Sequence, residues 1–319
     1  MNKKVYVTRR LQDSVMTALG NICEYDVNPE ERLATREELI NGVKNYAAII
    51  TMLNDNIDAE VINAAGPDLK LIANYGVGFN NIDVKTAQEK GIYVTNTPDV
   101  LTDATADLAF TLLLASARRV IEGDNIVRTG TFAWAPKYML GYDVTGKTLG
   151  IIGAGRIGAN LGKKAALGFN MQVLYYGRHN SSELDKIGAK RVNLEELLER
   201  SDFVSLHVPL TPDTKHLIGT QELAKMKPDA ILINTSRGPV VDEKALVDAL
   251  KRKEIAAAGL DVYENEPNVE PELKTLQNVV LMPHVGTATF GTRKAMGLMV
   301  VRNIEAVFAG SEPPNMVRV

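Results

Sequence analysis

Three polar residues with complementary chemistry follow separate apolar segments in the second half of the chain. Arg237 precedes a glycine, Glu266 precedes a proline, and His284 follows a proline. An arginine can bind a carboxylate through two parallel hydrogen bonds, and an imidazole changes its charge near neutral pH, so it can protonate a developing alkoxide. A glutamate bonded to the other imidazole nitrogen would orient the ring and favour its charged form. Together these residue types suit the reduction of a 2-oxo acid by a nicotinamide hydride.

Each of the three residues also fits a purely structural role when it is taken singly. Arg237 is consistent with an arginine that caps a turn, Glu266 with a solvated acid, and His284 with a hydrogen-bonded core histidine. Spacing does not separate the two interpretations, and it is the combination that favours catalysis.

A glycine motif typical of dinucleotide binding lies near the middle of the chain. The sequence GAGRIG, residues 153–158, directly follows a predicted strand at 148–152 and opens a predicted helix, which is the context that the motif requires. Such glycines permit a tight turn, a close approach of the backbone to a pyrophosphate, and close packing of helix on strand. The alternative is a glycine-rich turn that binds no ligand. The residues predicted to contact the dinucleotide here are Gly153, Gly155, Arg156, Ile157 and Gly158.

The end of the next predicted strand, 172–176, bears on the choice between NAD and NADP. An acidic residue is expected there in an NAD site, where it binds the ribose hydroxyls. This chain instead has Gly177, Arg178 and His179. Without a carboxylate a 2′-phosphate is not repelled, and Arg178 with His179 can pair with it. NADP is therefore predicted in preference to NAD, the alternative being that Arg178 is a solvated loop residue.

Short apolar segments alternate with helical patterns along the chain, which predicts an α/β fold with parallel sheets covered on both faces. An almost wholly apolar stretch, 106–117, predicts a buried helix, and 292–308 predicts a final long helix. Ligands of open parallel sheets bind beyond the carboxyl ends of the strands, so the segments that contain Arg237, Glu266 and His284 are expected near the dinucleotide. The predicted strands are 5–7, 47–52, 71–75 and 92–95, followed by 148–152, 172–176, 203–208, 230–234, 257–262 and 279–282.

Composition excludes several classes of protein. The 319 residues carry 36 Lys and Arg against 39 Asp and Glu, a net charge of −3, which argues against nucleic-acid binding. The single cysteine, Cys23, cannot form an internal disulfide or build a zinc site, and it favours a reducing cytoplasm. No apolar run reaches the roughly 18 residues of a membrane span, and no signal peptide is recognisable. We expect a cytoplasmic protein with no metal, membrane or nucleic-acid partner.

The motifs taken together resemble the D-isomer-specific 2-hydroxyacid dehydrogenase family. The resemblance covers nearly the whole chain, and its motifs occur in the family's order. It implies that Arg237 binds the substrate carboxylate, that Glu266 pairs with the histidine, and that His284 donates the proton. The matching stretches are 150–158, His207-Val208-Pro209-Leu210-Thr211, 233–238, 259–267 and 283–287.

The resemblance also implies further contacts with substrate and cofactor. Backbone N–H groups within 71–83, a segment containing Tyr75, Gly76, Val77 and Gly78, are implied to bind the substrate carboxylate, with Leu53 lining the same pocket. The further residues implied at the cofactor are Thr105, His207, Val208, Pro209, Thr214, Thr235, Ser236, Asp261 and Gly286.

The positions of the motifs predict how the domains are arranged. The dinucleotide motif lies in mid-chain, and the block that it opens closes near His284. We therefore expect two doubly wound parallel-sheet domains, a Rossmann cofactor domain, 101–286, inserted into a flavodoxin-like substrate domain formed by 1–100 and 287–319.

Within the family, the chain most resembles the glyoxylate/hydroxypyruvate reductase branch. Trp134 lies in an aromatic segment similar to one from which, in dimers of that branch, a tryptophan reaches the partner's active site. A homodimer is therefore predicted, with simple interface packing of Trp134 as the alternative. Two other functions stay open, an NAD-dependent D-lactate-type dehydrogenase and a non-catalytic protein that senses a dinucleotide.

Overall fold

The computed structural model, which describes residues 3–130 and 132–318, contains two sheets whose named strands all pair in parallel. Parallel neighbours need long crossovers, and helices supply them. In chain order the elements are β1 (Lys4–Val7), α1 (Asp13–Gly20), β2 (Glu24–Val27), α2 (Arg36–Asn45), β3 (Ala48–Thr51), α3 (Ala59–Asn63), β4 (Leu71–Asn74), α4 (Val84–Glu89), β5 (Tyr93–Thr95), α5 (Thr102–Ala117), α6 (Val120–Thr129), β6 (Thr148–Ile152), α7 (Arg156–Phe169), β7 (Gln172–Tyr176), α8 (Ser182–Asp185), β8 (Lys190–Arg191), α9 (Leu194–Arg200), β9 (Phe203–Leu206), α10 (Thr220–Lys225), β10 (Ile231–Asn234), α11 (Glu243–Arg252), β11 (Ala257–Leu260), β12 (Val279–Leu281) and α12 (Phe290–Phe308), with short 3-10 helices at Gly238–Val240 and Leu273–Thr275.

The chain divides into two compact units. One consists of Met1–Leu101 and Thr287–Val319, and the other is Thr102–Gly286. We call them the discontinuous unit and the central unit. The prediction of an α/β fold with two parallel-sheet domains is confirmed.

The discontinuous unit is built on a five-stranded sheet in the order β2-β1-β3-β4-β5, which is the order of flavodoxin-like folds. Every residue of β3 and β4 is buried, as expected for central strands covered on both faces. Helix α12 closes the unit by packing on α1 and β4. It begins two residues before the predicted start, because the Thr289 hydroxyl accepts a hydrogen bond from the N–H of Thr292 and caps the helix.

The central unit has a seven-stranded sheet in the order β12-β11-β10-β9-β6-β7-β8. Its first strand, β6, lies between β7 and β9, so the strand order reverses beside it, and ligands bind at such a point in doubly wound folds. Helix α5, predicted from its apolar sequence, begins at Thr102 and packs on β10, β11 and α7. The loops at the carboxyl ends of β6, β9, β10, β11 and β12 carry the predicted site residues.

The predicted set lacked several elements, among them β2, β8 and α6. Strand β2 lies at the edge of its sheet and has no fully buried residue, so its sequence EYDV lacks the apolar run of a central strand. Strand β8 is two residues long and exposed. Helix α6 also buries no residue.

Candidate active site

The glycine motif forms the turn between β6 and α7. Gly153 has φ of +104°, and a Cβ on it would lie 2.6 Å from the carbonyl carbon and oxygen of His207, at the end of β9. A Cβ on Gly158 would lie 2.2 Å from the oxygen of Gly153. The first glycine is thus required by the backbone conformation and by the neighbouring strand, and the last by close packing of the helix on the turn.

This turn fits the pyrophosphate of a dinucleotide. A Cβ built on Gly155 would meet no atom within 4 Å, so the backbone at the start of α7 is open to a ligand. The first turn of α7, which contains Arg156 and Ile157, has no acidic residue. The N–H groups of a helix N-terminus, together with its dipole, favour an anion. These residues would hold the diphosphate of a bound dinucleotide.

The loop after β7 is fixed by an arginine that the sequence analysis did not select. The guanidinium of Arg191 donates to the carbonyl oxygen of Gly177 at 2.8 Å and to that of Arg178 at 3.1 Å. The side chains of Arg178 and His179 are exposed, and in residues 3–130 and 132–318 no ion pair engages Arg178. Two exposed basic side chains therefore follow β7, in a loop whose backbone carbonyl groups are bonded to Arg191.

Arg237 lies in a turn built by Asn234, the last residue of β10. The Asn234 side chain accepts hydrogen bonds from the N–H and the hydroxyl of Ser236 and donates to the carbonyl oxygen of Arg237 at 3.0 Å. The guanidinium of Arg237 is bonded to the carbonyl oxygen of Ser236. Burial lowers the pKa of Arg237, against the opposing charge of Glu266, but a guanidinium remains charged at any physiological pH.

His284 and Glu266 form the predicted pair. His284 Nδ1 lies 2.7 Å from Glu266 Oε2, and the other carboxylate oxygen, Oε1, accepts from the N–H of Tyr263 at 3.0 Å. His284 has φ of +55°, an uncommon conformation for a residue with a side chain. Because Nδ1 faces the carboxylate, Nε2 is the imidazole nitrogen left to exchange a proton with a substrate.

The charge state of Glu266 is set by opposing effects. Burial raises the pKa of its carboxyl group, but the hydrogen bond and charge of His284, the N–H of Tyr263 and the charge of Arg237 lower it. The net effect places the pKa below its ordinary value. Glu266 is therefore anionic at neutral pH and able to stabilise a charged imidazole.

Asp261, at the end of β11, organises the backbone that follows His284. Its two carboxylate oxygens accept from the N–H groups of Val285 at 2.7 Å and Gly286 at 2.8 Å. Burial raises the pKa of Asp261, opposed by these N–H groups and by the charge of His284. A contact with the cofactor stays a prediction for Asp261, whereas its hold on the His284 segment is observed.

Two buried hydroxyls near this segment have no hydrogen-bond partner within the described part of the chain, namely those of Thr105 and Thr235. A Cβ on Gly286 would lie 3.2 Å from Asp261 Oδ2 and 3.7 Å from the Thr105 hydroxyl, so these three residues lie together. Unpaired buried hydroxyls are costly. They suit a site whose ligand carries amide groups, as a nicotinamide does.

The segment after β9 contains the remaining predicted cofactor residues. His207 Nε2 lies 2.9 Å from the Ser205 hydroxyl, and burial lowers the pKa of His207 to about 4, so the ring is neutral. The Thr214 hydroxyl donates to the carbonyl oxygen of Pro209 at 2.6 Å and closes the loop that follows Val208. The His207 backbone thus lies beside Gly153 and Thr214 acts on the loop itself, whereas contacts of both residues with the cofactor stay predictions.

The predicted substrate residues come together in the discontinuous unit. Leu53 packs over Gly76, where an added Cβ would lie 2.2 Å from a Leu53 methyl carbon. The carbonyl oxygens of Gly76, Val77 and Gly78 accept, respectively, from the N–H of Thr97 at 3.0 Å, from Asn96 Nδ2 at 2.8 Å and from Asn74 Nδ2 at 2.7 Å. The buried Tyr75 hydroxyl donates to the carbonyl oxygen of Arg293 in α12. The loop is thus fixed on its carbonyl side.

Trp134 lies in the aromatic segment after α6 and is 82% exposed. Phe132 and Leu140 of this segment and Val127 of α6 are also exposed. All four side chains belong to the central unit.

The described residues contain no group of three His, Cys, Asp or Glu side chains arranged to hold a metal ion. In the same residues no helix combines the length and the apolar character needed to cross a membrane. The Cys23 thiol is half-buried and bonded to a helix carbonyl oxygen, and burial raises its pKa to about 11.

Sequence reasoning missed the residues that hold the Glu266 segment in place. The buried Glu243 carboxylate, in the first turn of α11, accepts from the N–H groups of Glu264 at 2.9 Å and Glu270 at 3.3 Å. Glu264 in turn accepts from the N–H of Glu243 and from His216. Asp242 caps α11 through its side chain, and the sequence held no signal that the next residue binds a distant loop.

Known proteins share both sequence and fold with this chain. A family model for the NAD binding domain of D-isomer specific 2-hydroxyacid dehydrogenases matches residues 110–286. A glyoxylate reductase from Thermococcus kodakarensis is 51% identical over 323 residues, covering 99% of this chain and 96% of that protein.

Solved structures agree. A glyoxylate reductase from Paecilomyes thermophila superposes with a TM-score of 0.88 at 36% identity, covering 98% of each chain. An NADPH-dependent glyoxylate/hydroxypyruvate reductase from Sinorhizobium meliloti, solved with NADP and malonate, gives a TM-score of 0.85 at 33% identity, covering 99% of this chain and 97% of that one. The chain therefore belongs to the D-isomer specific 2-hydroxyacid dehydrogenase family.

Proposed function

We propose that this protein is an oxidoreductase that uses NAD(P)H to reduce small 2-oxo acids of the glyoxylate and hydroxypyruvate type. The product is a 2-hydroxy acid, of D configuration where its carbon is chiral. The His284–Glu266 pair, 2.7 Å apart, is the observation that carries the proposal. The glyoxylate reductases similar to this chain over almost its whole length support the choice of substrate.

The proposed roles follow from the chemistry of each group. A bound nicotinamide would supply the hydride. In the central unit Arg237 is the proposed group that binds a substrate carboxylate, and in the discontinuous unit the proposed groups are the N–H groups of Val77 and Gly78. His284 Nε2 donates a proton to the carbonyl oxygen as negative charge develops there, and Glu266 stabilises the charged imidazole beforehand. The central unit is the dinucleotide domain and the discontinuous unit the substrate domain.

A spectrophotometric assay tests the function. Purified protein is mixed with NADPH or NADH and a panel of glyoxylate, hydroxypyruvate and pyruvate, and the loss of reduced nicotinamide absorbance is followed. We expect turnover with glyoxylate and hydroxypyruvate. Preference for pyruvate would favour a D-lactate-type dehydrogenase, and a lack of turnover with every acid would favour a dinucleotide-sensing binding protein.

We further propose that NADPH is preferred over NADH. The exposed Arg178 and His179 after β7, with no carboxylate at the strand end, support this preference. The Arg178→Ala variant should lose most of the ratio of kcat/KM for NADPH to that for NADH. Arg200→Ala, which changes an exposed arginine paired with Glu196 on α9, is the matched control. An unchanged ratio in Arg178→Ala would refute the proposed role of Arg178.

The active form is proposed to be a cytoplasmic homodimer. The apolar surface around Trp134 and Val127 supports a second copy as its partner, and the single cysteine fits a reducing compartment.

A further inference from the structure

We infer that the side chains of Asn74 and Asn96 aim the N–H groups of Val77 and Gly78 at the substrate carboxylate, and that both asparagines are positioning residues for substrate binding. The inference rests on the proposed function, because it concerns the carboxylate of a 2-oxo acid. It adds two residues of the discontinuous unit that neither the motifs nor the predicted contacts had singled out.

Three successive carbonyl groups of the loop after β4 each accept a hydrogen bond. Thr97 N–H, Asn96 Nδ2 and Asn74 Nδ2 donate in turn to the oxygens of residues 76, 77 and 78, at 3.0, 2.8 and 2.7 Å. Two of the three donors are side-chain amides. A loop carbonyl that accepts a good hydrogen bond has a fixed direction, and so has the peptide plane to which it belongs.

The peptide bond couples the direction of each bonded carbonyl to that of the next N–H group. In a trans peptide the C=O of one residue and the N–H of the next lie in one plane and point in opposite directions. The carbonyl of Gly76, which also accepts from Asn74 Nδ2 at 3.4 Å, and that of Val77, which accepts from Asn96 Nδ2, therefore point towards the asparagines, and the N–H groups of Val77 and Gly78 point away from them. In residues 3–130 and 132–318 these two N–H groups have no protein acceptor. Adjacent N–H groups that point the same way form an anion-binding concavity.

The Asn74 side chain is itself held in one orientation. It is the last residue of the buried strand β4 and is fully buried. The hydroxyl of the equally buried Thr51 donates to Asn74 Oδ1, at 3.4 Å. Because its oxygen accepts this bond, the amide presents its NH₂ group to the loop. An aspartate at position 74 would instead place a carboxylate, which only accepts hydrogen bonds, against the loop carbonyl oxygen.

Substrate kinetics test the inference. The variants are Asn74→Ala, Asn74→Asp and Asn96→Ala, assayed at saturating NADPH. We expect each to raise the KM for glyoxylate about tenfold or more, to change kcat less, and to leave the dissociation constant of NADPH unchanged when it is measured by nicotinamide fluorescence without substrate. The control is Asn28→Ala, which removes another buried amide of the discontinuous unit, one that donates to Glu38.

Ethyl glyoxylate, the neutral ester, separates positioning from general loosening. If the asparagines aim N–H groups at a carboxylate, the ratio of kcat/KM for glyoxylate to kcat/KM for the ester should be smaller in each variant than in the wild type. An unchanged preference in Asn96→Ala, whose side chain is only partly buried and whose removal spares the core, would overturn the inference even if both Asn74 variants fail to fold. A wild type that reduces no 2-oxo acid would instead overturn the proposed function.

Discussion

A single imidazole nitrogen carries the proposed chemistry. Nδ1 of His284 is bonded to Glu266, whose second oxygen is bonded to the N–H of Tyr263. Neither partner can turn without breaking one of these bonds, so the ring plane is fixed before substrate arrives. Such preorganisation places Nε2 where the proton is needed and avoids a reorganisation cost during the reaction.

We expect His284→Ala to lower kcat by about two to four orders of magnitude, the usual contribution of a general acid. Arg237→Ala should instead act chiefly by raising the KM for the 2-oxo acid, because its guanidinium binds the substrate carboxylate before and during the reaction. Steady-state kinetics on both variants make the comparison, with NADPH binding as the control for folding. Full turnover in His284→Ala would remove the proton-donor assignment.

The pH dependence of activity should change in a defined direction when Glu266 is replaced by glutamine. The depressed pKa of Glu266 keeps it anionic at neutral pH, and its stabilisation of the imidazolium is lost only as the pH falls through that pKa. A neutral amide cannot stabilise the charged ring, so the alkaline limb of kcat/KM should move to lower pH. A pH–rate profile of both proteins measures the shift, and superimposable profiles would contradict the pairing.

At the scale of the elements, the segment 261–270 is held by hydrogen bonds at both of its ends. Asp261 bonds the chain after His284, and Glu243 of α11 bonds the N–H groups of Glu264 and Glu270. Glu266 lies between these attachments. Helix α11, which contributes no reacting group, therefore helps to hold the Glu266 carboxylate next to His284.

We expect Glu243→Ala to lower kcat and the unfolding temperature together. It leaves the N–H groups of Glu264 and Glu270 without their acceptor, and each such loss costs roughly 1–3 kcal/mol when the group is buried. Thermal unfolding and steady-state kinetics provide the two readings. Glu195→Ala, at an exposed carboxylate paired with Lys225, should change neither. Wild-type kcat in Glu243→Ala would show that the Glu266 segment needs no such support.

At the scale of the whole molecule, the central unit exposes several large apolar side chains. Val127 is 65% and Trp134 82% exposed, and helix α6 buries no residue in this chain by itself. Where such side chains form one contiguous surface, that surface marks an interface. A second copy would cover it symmetrically.

The dimer proposal predicts that Val127→Asp shifts the protein towards a monomer. A buried, unpaired carboxylate at an apolar interface is strongly unfavourable. Size-exclusion chromatography with light scattering gives the mass. Leu167→Asp is the matched control, since Leu167 is 69% exposed on α7 and belongs to neither α6 nor the Trp134 segment. A wild type that is already monomeric at micromolar concentration would contradict the proposal.

Sequence by itself determined the local chemistry of this protein. The GAGRIG motif after a strand predicted a tight turn, and the polar residues after β10, β11 and β12 were expected close together because strand ends in a parallel sheet meet at one edge. The 2.7 Å contact between His284 and Glu266 agrees with that expectation. Backbone conformation at Gly153 is likewise a local property that only glycine meets without strain.

Tertiary structure decided which groups hold these residues in place. Asn74, Asn96, Arg191 and Glu243 act on loops through backbone carbonyl or N–H groups. Backbone groups are the same in every residue, so a contact with them leaves no partner signature in the sequence. The edge strand β2 escaped prediction for a related reason, since a strand that buries little carries little apolar periodicity.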